Sequence, residues 1–320
     1  MGIWSSLFGK KSPEMQREAE RQRSLKRAEK EAASLDPKNA ASLYEAASQG
    51  DADLVRLLLD RGASVDAKVS EATGMGLRGD VSYFEDTPLR AAVGKEHLAV
   101  VQILLEKGAH AEHPTSHGTQ NPSSGALGDA AVTGNSQIAK LLLKHGANPN
   151  GAGDTPPLHR AASAGHVEMI KLLLEAGADI HRRITGDWAS HPQAIHKAVD
   201  SGKLAAVELL LKKGADPNAD DESSEDGDTS LDIVHKHLCW QIEAISPKRR
   251  VPFHDRAHEY PAAEMLGLLE RHSAHRVGRM TPHYAKEMNE ISVELARTGD
   301  ATGSQKAADA AKCVAKRIRR

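Results

Sequence analysis

The chain has 320 residues, a formal net charge of −2, 39% hydrophobic residues and only 3% aromatic ones. So balanced a charge supplies no global field to draw in nucleic acid, and a core so poor in rings must be built from Ala, Val, Ile and Leu, which suits thin layers of packed helices. Cys239 and Cys313 give neither a disulfide framework nor a zinc spacing, no apolar run reaches the roughly 18 residues of a membrane span, and the first residues lack a secretory apolar core. The expectation is a cytoplasmic protein in a reducing compartment.

The chain opens on "MGIWSSLFGKKS", where Gly2 followed by Ser6 fits the N-myristoylation pattern. Ile3, Trp4, Leu7 and Phe8 would gather on one side of a short helix, with Lys10 and Lys11 at the headgroup level of a bilayer. This predicts weak, salt-sensitive contact with a membrane surface, Gly2 carrying the lipid. The alternative is a terminus without a membrane role. Residues 12–34 alternate in charge ("PEMQREAERQRSLKRAEKEAAS") and have no sustained apolar stripe, so they read as a solvated helix or linker that spaces the next region from whatever holds the terminus.

From residue 39 a unit recurs. Apolar runs closed by Gly-Ala start at Ala52 ("ADLVRLLLDRGASVDA"), Leu98 ("LAVVQILLEKGAHAE"), Ser136 ("SQIAKLLLKHGANPN"), Val167 ("VEMIKLLLEAGADIH") and Leu204 ("LAAVELLLKKGADPNA"). A sixth, "AEMLGLLERHSAHRV" from Ala263, has Ser273 in place of the glycine. An Ala-rich short helix precedes each one: "SLYEAASQG", "TPLRAAVGKEH", "GALGDAAVTGN", "PLHRAASAGH", "AIHKAVDSGK" and "TSLDIVHKHL". Pro157 suits a first helical turn, Gly165 the turn between antiparallel helices, and Gly177 a left-handed cap. Leu172, Leu173 and Leu174 cover more than half of a helix circumference, so that helix must be buried on two sides, and the units must stack.

The stretch "TPPLHRAASAGHVEMIKLLLEAGADI" resembles an ankyrin repeat, whose pattern carries T-P-L-H-x-A-A, then G-H, then L-L-L and G-A-D. "TPLRAAV" at Thr87 and "AIHKAV" at Ala194 carry weaker forms. The resemblance implies an all-α solenoid of about six helix-turn-helix units with β-turn fingers over residues 39–278, and a binding surface on the fingers and the concave, inner-helix face. It also implies that His159 and His196 orient turns by hydrogen bonds within their own repeats. Successive Gly-Ala pairs stand 46, 38, 31 and 37 residues apart, against about 33 for the family. Insertions are therefore expected in the fingers at Lys68–Glu85, His113–Ser124 and Arg182–Pro192, and one at 239–261 splits the last repeat. Residues 1–38 and 279–320 flank the repeats, the latter as a capping amphipathic helix (Met280–Arg297) and a basic tail.

Candidate chemistry is thin. His110, His113 and His117 fall in a finger insertion without a cysteine nearby. His254 and His258 share only their histidines with the zinc-protease pattern, Asp255 replacing its glutamate. The acidic run Ala219–Asp228 lacks the glycine and closing glutamate of a calcium loop, and "SPKRRVP" is too short a basic run for nucleic acid. The reading assigns no metal, no cofactor and no catalytic residue. It expects a non-enzymatic scaffold for another protein, with a membrane-tethered adaptor as the alternative and a metal-dependent enzyme in 239–299 as the remote third. The residues expected to meet the partner are Gln49, Lys95, Thr133, Ser163, Asp200, Arg183 and Trp188, with Arg183 and Trp188 as anchors because Arg and Trp dominate interface hot spots.

Overall fold

The computed structural model describes residues 13–75, 81–112, 125–151, 153–184, 192–220, 229–243 and 261–272, with Lys286 and Ala308 besides. The residues of the first twelve expected to contact a membrane, Trp188, most of the acidic run, the 246–252 basic run, His254, His258 and the segment Met280–Arg297 apart from Lys286 lie outside the described residues. The chain divides into two compact units, Met1–Ala147 and Asn148–Arg320.

The first unit begins with α1 (Pro13–Ser34). Three helix pairs follow: α2 (Ala40–Gln49) with α3 (Ala52–Asp60), α4 (Pro88–Gly94) with α5 (Leu98–Glu106), and α6 (Gly125–Thr133) with α7 (Ser136–Lys144). The second unit holds α8 (Pro157–Ala164) with α9 (Val167–Glu175), α10 (Ala194–Asp200) with α11 (Leu204–Lys212), and α12 (Ser230–Glu243) with α13 (Ala262–Arg271). In each unit the inner helices pack in a row, α2–α4–α6 and α8–α10–α12, and the outer helices form a second row.

The local chemistry sets these elements. Asn39, Asp51, Thr87 and Asn135 cap the first turns of α2, α3, α4 and α7 with side-chain oxygens on backbone N–H groups. Pro157 starts α8, and Gly165 ends it in the left-handed region at φ 83°. Each of the five Gly-Ala-closed outer helices buries the same three places, the third, fourth and seventh residues after its cap: Leu54, Val55 and Leu58; Val100, Val101 and Leu104; Ile138, Ala139 and Leu142; Met169, Ile170 and Leu173; Ala206, Val207 and Leu210. In α9 only the middle leucine of the run is fully buried. Leu172 and Leu174 are half-buried, so the two-sided burial expected of the run falls on Leu173 with Met169 and Ile170.

Successive fingers are also tied. The Asp66 carboxylate accepts from the His110 amide at 3.0 Å, and the Asn150 side chain accepts from the equivalent Asp179 amide at 2.8 Å. Within the fingers, Asn148, Asp179 and Asp216 each accept a backbone N–H two residues on, the local turn that Asn and Asp favour.

Three features depart from the sequence reading. The segment expected as a finger insertion at 68–85 contains a two-stranded antiparallel hairpin, β1 (Val69–Met75) with β2 (Val81–Asp86), paired from Val69 opposite Asp86 to Met75 opposite Val81 with a bulge between Ala72 and Gly74. Helix α12 runs on to Glu243, so the interruption of the last repeat starts later than 239. Helix α1 packs on α3, with Ala28 and Ala32 buried and the Ser24 hydroxyl donating to Asp53 at 3.0 Å. Its C-terminal half is thus docked on the first repeat; the alanines that make the contact are too small to register as an apolar stripe among so many charges.

Truncating Leu173, which has no exposure, removes packing on two sides. Leu173→Ala is expected to cost about 2–5 kcal/mol, while Lys171→Ala on the same helix should stay within about 0.5 kcal/mol. Urea titrations of both variants followed by circular dichroism make the comparison.

Candidate protein-interaction surface

One inner-helix position links each repeat to its successor within a unit. It follows a buried leucine, or Ile195 in α10, and it holds Tyr44, Arg90, His159 and His196 in the repeats of α2, α4, α8 and α10. The Tyr44 hydroxyl donates to Asp86 at 3.2 Å, and Arg90 Nε donates to Asp129 at 2.9 Å. His159 Nε2 lies 3.0 Å from the Pro192 carbonyl and His196 Nε2 2.9 Å from that of Ala219. Both histidines therefore reach the finger of the following repeat. This corrects the expectation of bonds confined to one repeat, which overlooked that the side chain leaves the helix toward the next pair.

The two histidines differ through one neighbour. The Gln193 amide donates to His196 Nδ1 at 3.1 Å, so Nδ1 is the bare nitrogen and Nε2 carries the proton given to Ala219. At the matching place before His159 stands Pro156, which has no N–H to give, and His159 Nδ1 is buried with no partner among the described residues. Burial, first of all, lowers the His159 pKa to about 4; the bond to Pro192 opposes this, and the positive charges of Lys197 and Arg182 reinforce it.

Around Arg90 the tie is ionic. Its guanidinium also lies 3.7 Å from Asp86, and the Arg90 and Asp86 side chains are only 10% and 13% exposed. Burial raises the Asp86 pKa, opposed by Arg90, the Thr87 amide and the Tyr44 hydroxyl, with Asp129 adding to the rise. The sequence signal was Arg90 in the His place of "TPLRAAV"; the partner carboxylates could not be read from it. The sixth repeat instead has Asp232, fully buried, accepting from both the amide and the hydroxyl of Thr229 at 2.9 and 2.6 Å. Asp232 thus caps its own helix.

The residues expected to meet a partner divide by their bonding. Gln49 and Lys95 are exposed at the ends of α2 and α4, and Asp200 at the end of α10. Asp200 also lies 3.2 Å from His237 Nε2. Thr133 is half-buried and donates to the Ala130 carbonyl at 3.2 Å, and Ser163 shares a 2.9 Å bond with Ser201. Arg183 is held by Asp220, bonding both its carbonyl and its carboxylate, so it fastens one finger to the next. The residues closing α2 and α4 sit beside a turn with an unusual member. Glu96 has φ 60° where the other repeats place Gly50, Gly134, Gly165 and Gly202, and its carboxylate accepts from the Asn135 side chain at 3.0 Å. Among the described residues no group of three or more His, Cys, Asp or Glu is placed to hold a metal, and no helix is long and apolar enough to cross a membrane.

Two stability measurements probe these links. Arg90→Ala leaves two half-buried carboxylates without their cation and is expected to cost about 3 kcal/mol. Lys107→Ala, which breaks an exposed pair with Asp60, should cost about 0.5 kcal/mol or less. The second concerns pH. The folded chain keeps His159 neutral down to about pH 4, whereas the unfolded imidazole takes its proton near 6.5. The stability tied to this group is complete above the unfolded value and is lost as pH falls toward the folded one, about 3 kcal/mol in all. In His159→Gln, denaturation midpoints should fall much less over that window.

The ankyrin repeats family model (three copies) matches residues 22–115, 43–151, 111–184 and 157–221. The chain is 32% identical over 145 residues to the ankyrin repeat and KH domain-containing protein mask-1 of Caenorhabditis elegans, covering 44% of the chain and 5% of that protein. It is 35% identical over 98 residues to human cyclin-dependent kinase inhibitor 2A, covering 30% of the chain and 59% of the inhibitor. Over 166 residues it is 31% identical to mouse ankyrin repeat and SOCS box protein 16, covering 43% of the chain and 36% of that protein. The chain thus spans between 5% and 59% of these relatives' lengths. With the family model covering well over half of its residues and helix pairs of the matching kind throughout, the chain belongs to the ankyrin repeat family.

Proposed function

We propose that the chain is a non-enzymatic cytoplasmic scaffold that binds another protein through the ends of its inner helices and its fingers. The observation that carries this is the division of labour among its side chains. The outer helices spend their large apolar residues on neighbouring repeats, while Gln49, Lys95 and Asp200 at the inner-helix ends stay exposed. Family membership supports it, since ankyrin repeats generally bind proteins, and one relative is by name an inhibitor of a kinase. Thr133, Ser163, Arg183 and Trp188 complete the proposed surface. The formal charge of −2 gives no reason to invoke nucleic acid.

The test is capture of a partner from native lysate by the tagged full chain, followed by affinity measurement on the isolated pair. Trp188→Ala should weaken binding by about 2 kcal/mol with little change in melting temperature, and Lys95→Glu should also weaken it. Lys171→Glu, on the outer helix α9, should not. Equal effects from all three would reject the proposed face.

The terminus supports a second reading, a weak membrane tether. Its support is the Gly2–Ser6 pattern with Ile3, Trp4, Leu7 and Phe8 spaced as one face of a helix would need and Lys10 and Lys11 after them. Liposome flotation of the full chain, with and without myristoylation and beside Gly2→Ala and Trp4→Ala, decides it. The tether predicts flotation of the lipidated form alone, reduced in Trp4→Ala; equal flotation of all forms, or none, would reject it.

A further inference from the structure

The cations of the second unit are not all alike. On its outer helices Lys171 pairs with Glu168 and Lys212 with Glu208, each at 2.7 Å. On the inner row, Lys197 of α10 and Arg182 of the preceding finger are half-buried, and neither side chain has a hydrogen bond or ion pair among the described residues. Arg160 of α8 stands at the place equivalent to Lys197, one residue after the linking histidine. Lys197 lies one residue past His196 on α10, which packs on α8, and Arg182 precedes Arg183, whose backbone bridges Gln193 at the start of α10. Among the described residues, Asp200 is engaged with His237, Asp220 with Arg183, and Asp179 and Asp216 with amides of their own turns. The equivalent places in the first unit carry Glu45, exposed, Ala91, and Asp129, paired with Arg90.

We propose that the inner-helix face of the second unit, around Lys197 and Arg182, docks an acidic segment of a partner protein. This rests on the scaffold reading above and adds the partner's charge. Half-buried cations with no counterion among the described residues keep part of their desolvation cost uncompensated, and a carboxylate-rich segment laid along α8 and α10 supplies charge of the opposite sign.

The probe is a fluorescein-labelled deca-glutamate peptide titrated with the full chain, read by anisotropy at a salt concentration where the Debye length exceeds about 10 Å. Saturable binding is expected. Lys197→Glu should weaken it about tenfold or more, and Lys197→Gln should weaken it by a smaller step, serving as the milder variant if the reversal unfolds the chain. Lys213→Glu, with the same net charge change at an exposed site after α11, should leave it unchanged. No binding, or equal losses from Lys197→Glu and Lys213→Glu, would overturn the proposal. A lysate partner that binds Lys197→Glu as well as the parent would overturn it too, yet leave the scaffold reading intact. Failure to capture any partner would strike the scaffold reading instead.

Discussion

A pair of short helices cannot hide its own apolar side chains, and the fold follows from that constraint. Each of the five Gly-Ala-closed outer helices presents a strip at the third, fourth and seventh places after its cap, and each strip is buried. It can be covered on one flank by its own inner helix, but the other flank needs the next pair. The same need recurs in the rows α2–α4–α6 and α8–α10–α12, where Ala46, Ala92, Ala161 and Ala198 are small enough to let helices approach and are almost wholly buried. Nearest-neighbour burial of this sort makes stability a sum over interfaces.

Apolar burial alone leaves register loose. The polar ties at Tyr44, Arg90, His159 and His196 fix where each pair meets its successor, because a hydrogen bond tolerates less displacement than a methyl contact. They also make the structure uneven. An ionic tie at Arg90 depends on two carboxylates, and a neutral tie at His159 lacks the amide that His196 enjoys. Pro156, the residue before the Pro157 that starts α8, has no N–H to give His159 its second bond.

Much of this was legible in the sequence. The Leu-rich runs ending in Gly-Ala located five of the six outer helices among the described residues, because glycine at a left-handed cap and three consecutive apolar residues have few other readings. Thr87 and Pro157 marked helix starts by the same local logic. What stayed hidden depended on distance along the chain. The partners of Arg90 and His159 lie 39 and 33 residues away, and no local pattern names them. Strands β1 and β2 escaped notice because "VSEATGM" mixes two valine-like β-formers with glycine and glutamate, leaving no alternation to read. Exposure at the inner-helix ends was legible for Gln49 and Lys95, but not the bonds of Ser163 or Arg183, since polar residues on a repeat face read alike whether they meet solvent or a neighbouring repeat.

The account stands on the claim that a repeat exists only through its neighbours. The direct measurement is far-ultraviolet circular dichroism of the isolated fourth repeat, a peptide of residues 153–182 containing α8 and α9. Removed from the adjoining pairs it should show little helix in water, as expected for helices shorter than about 12 residues without tertiary support. A peptide with the full helicity that those residues have in the chain would contradict the claim.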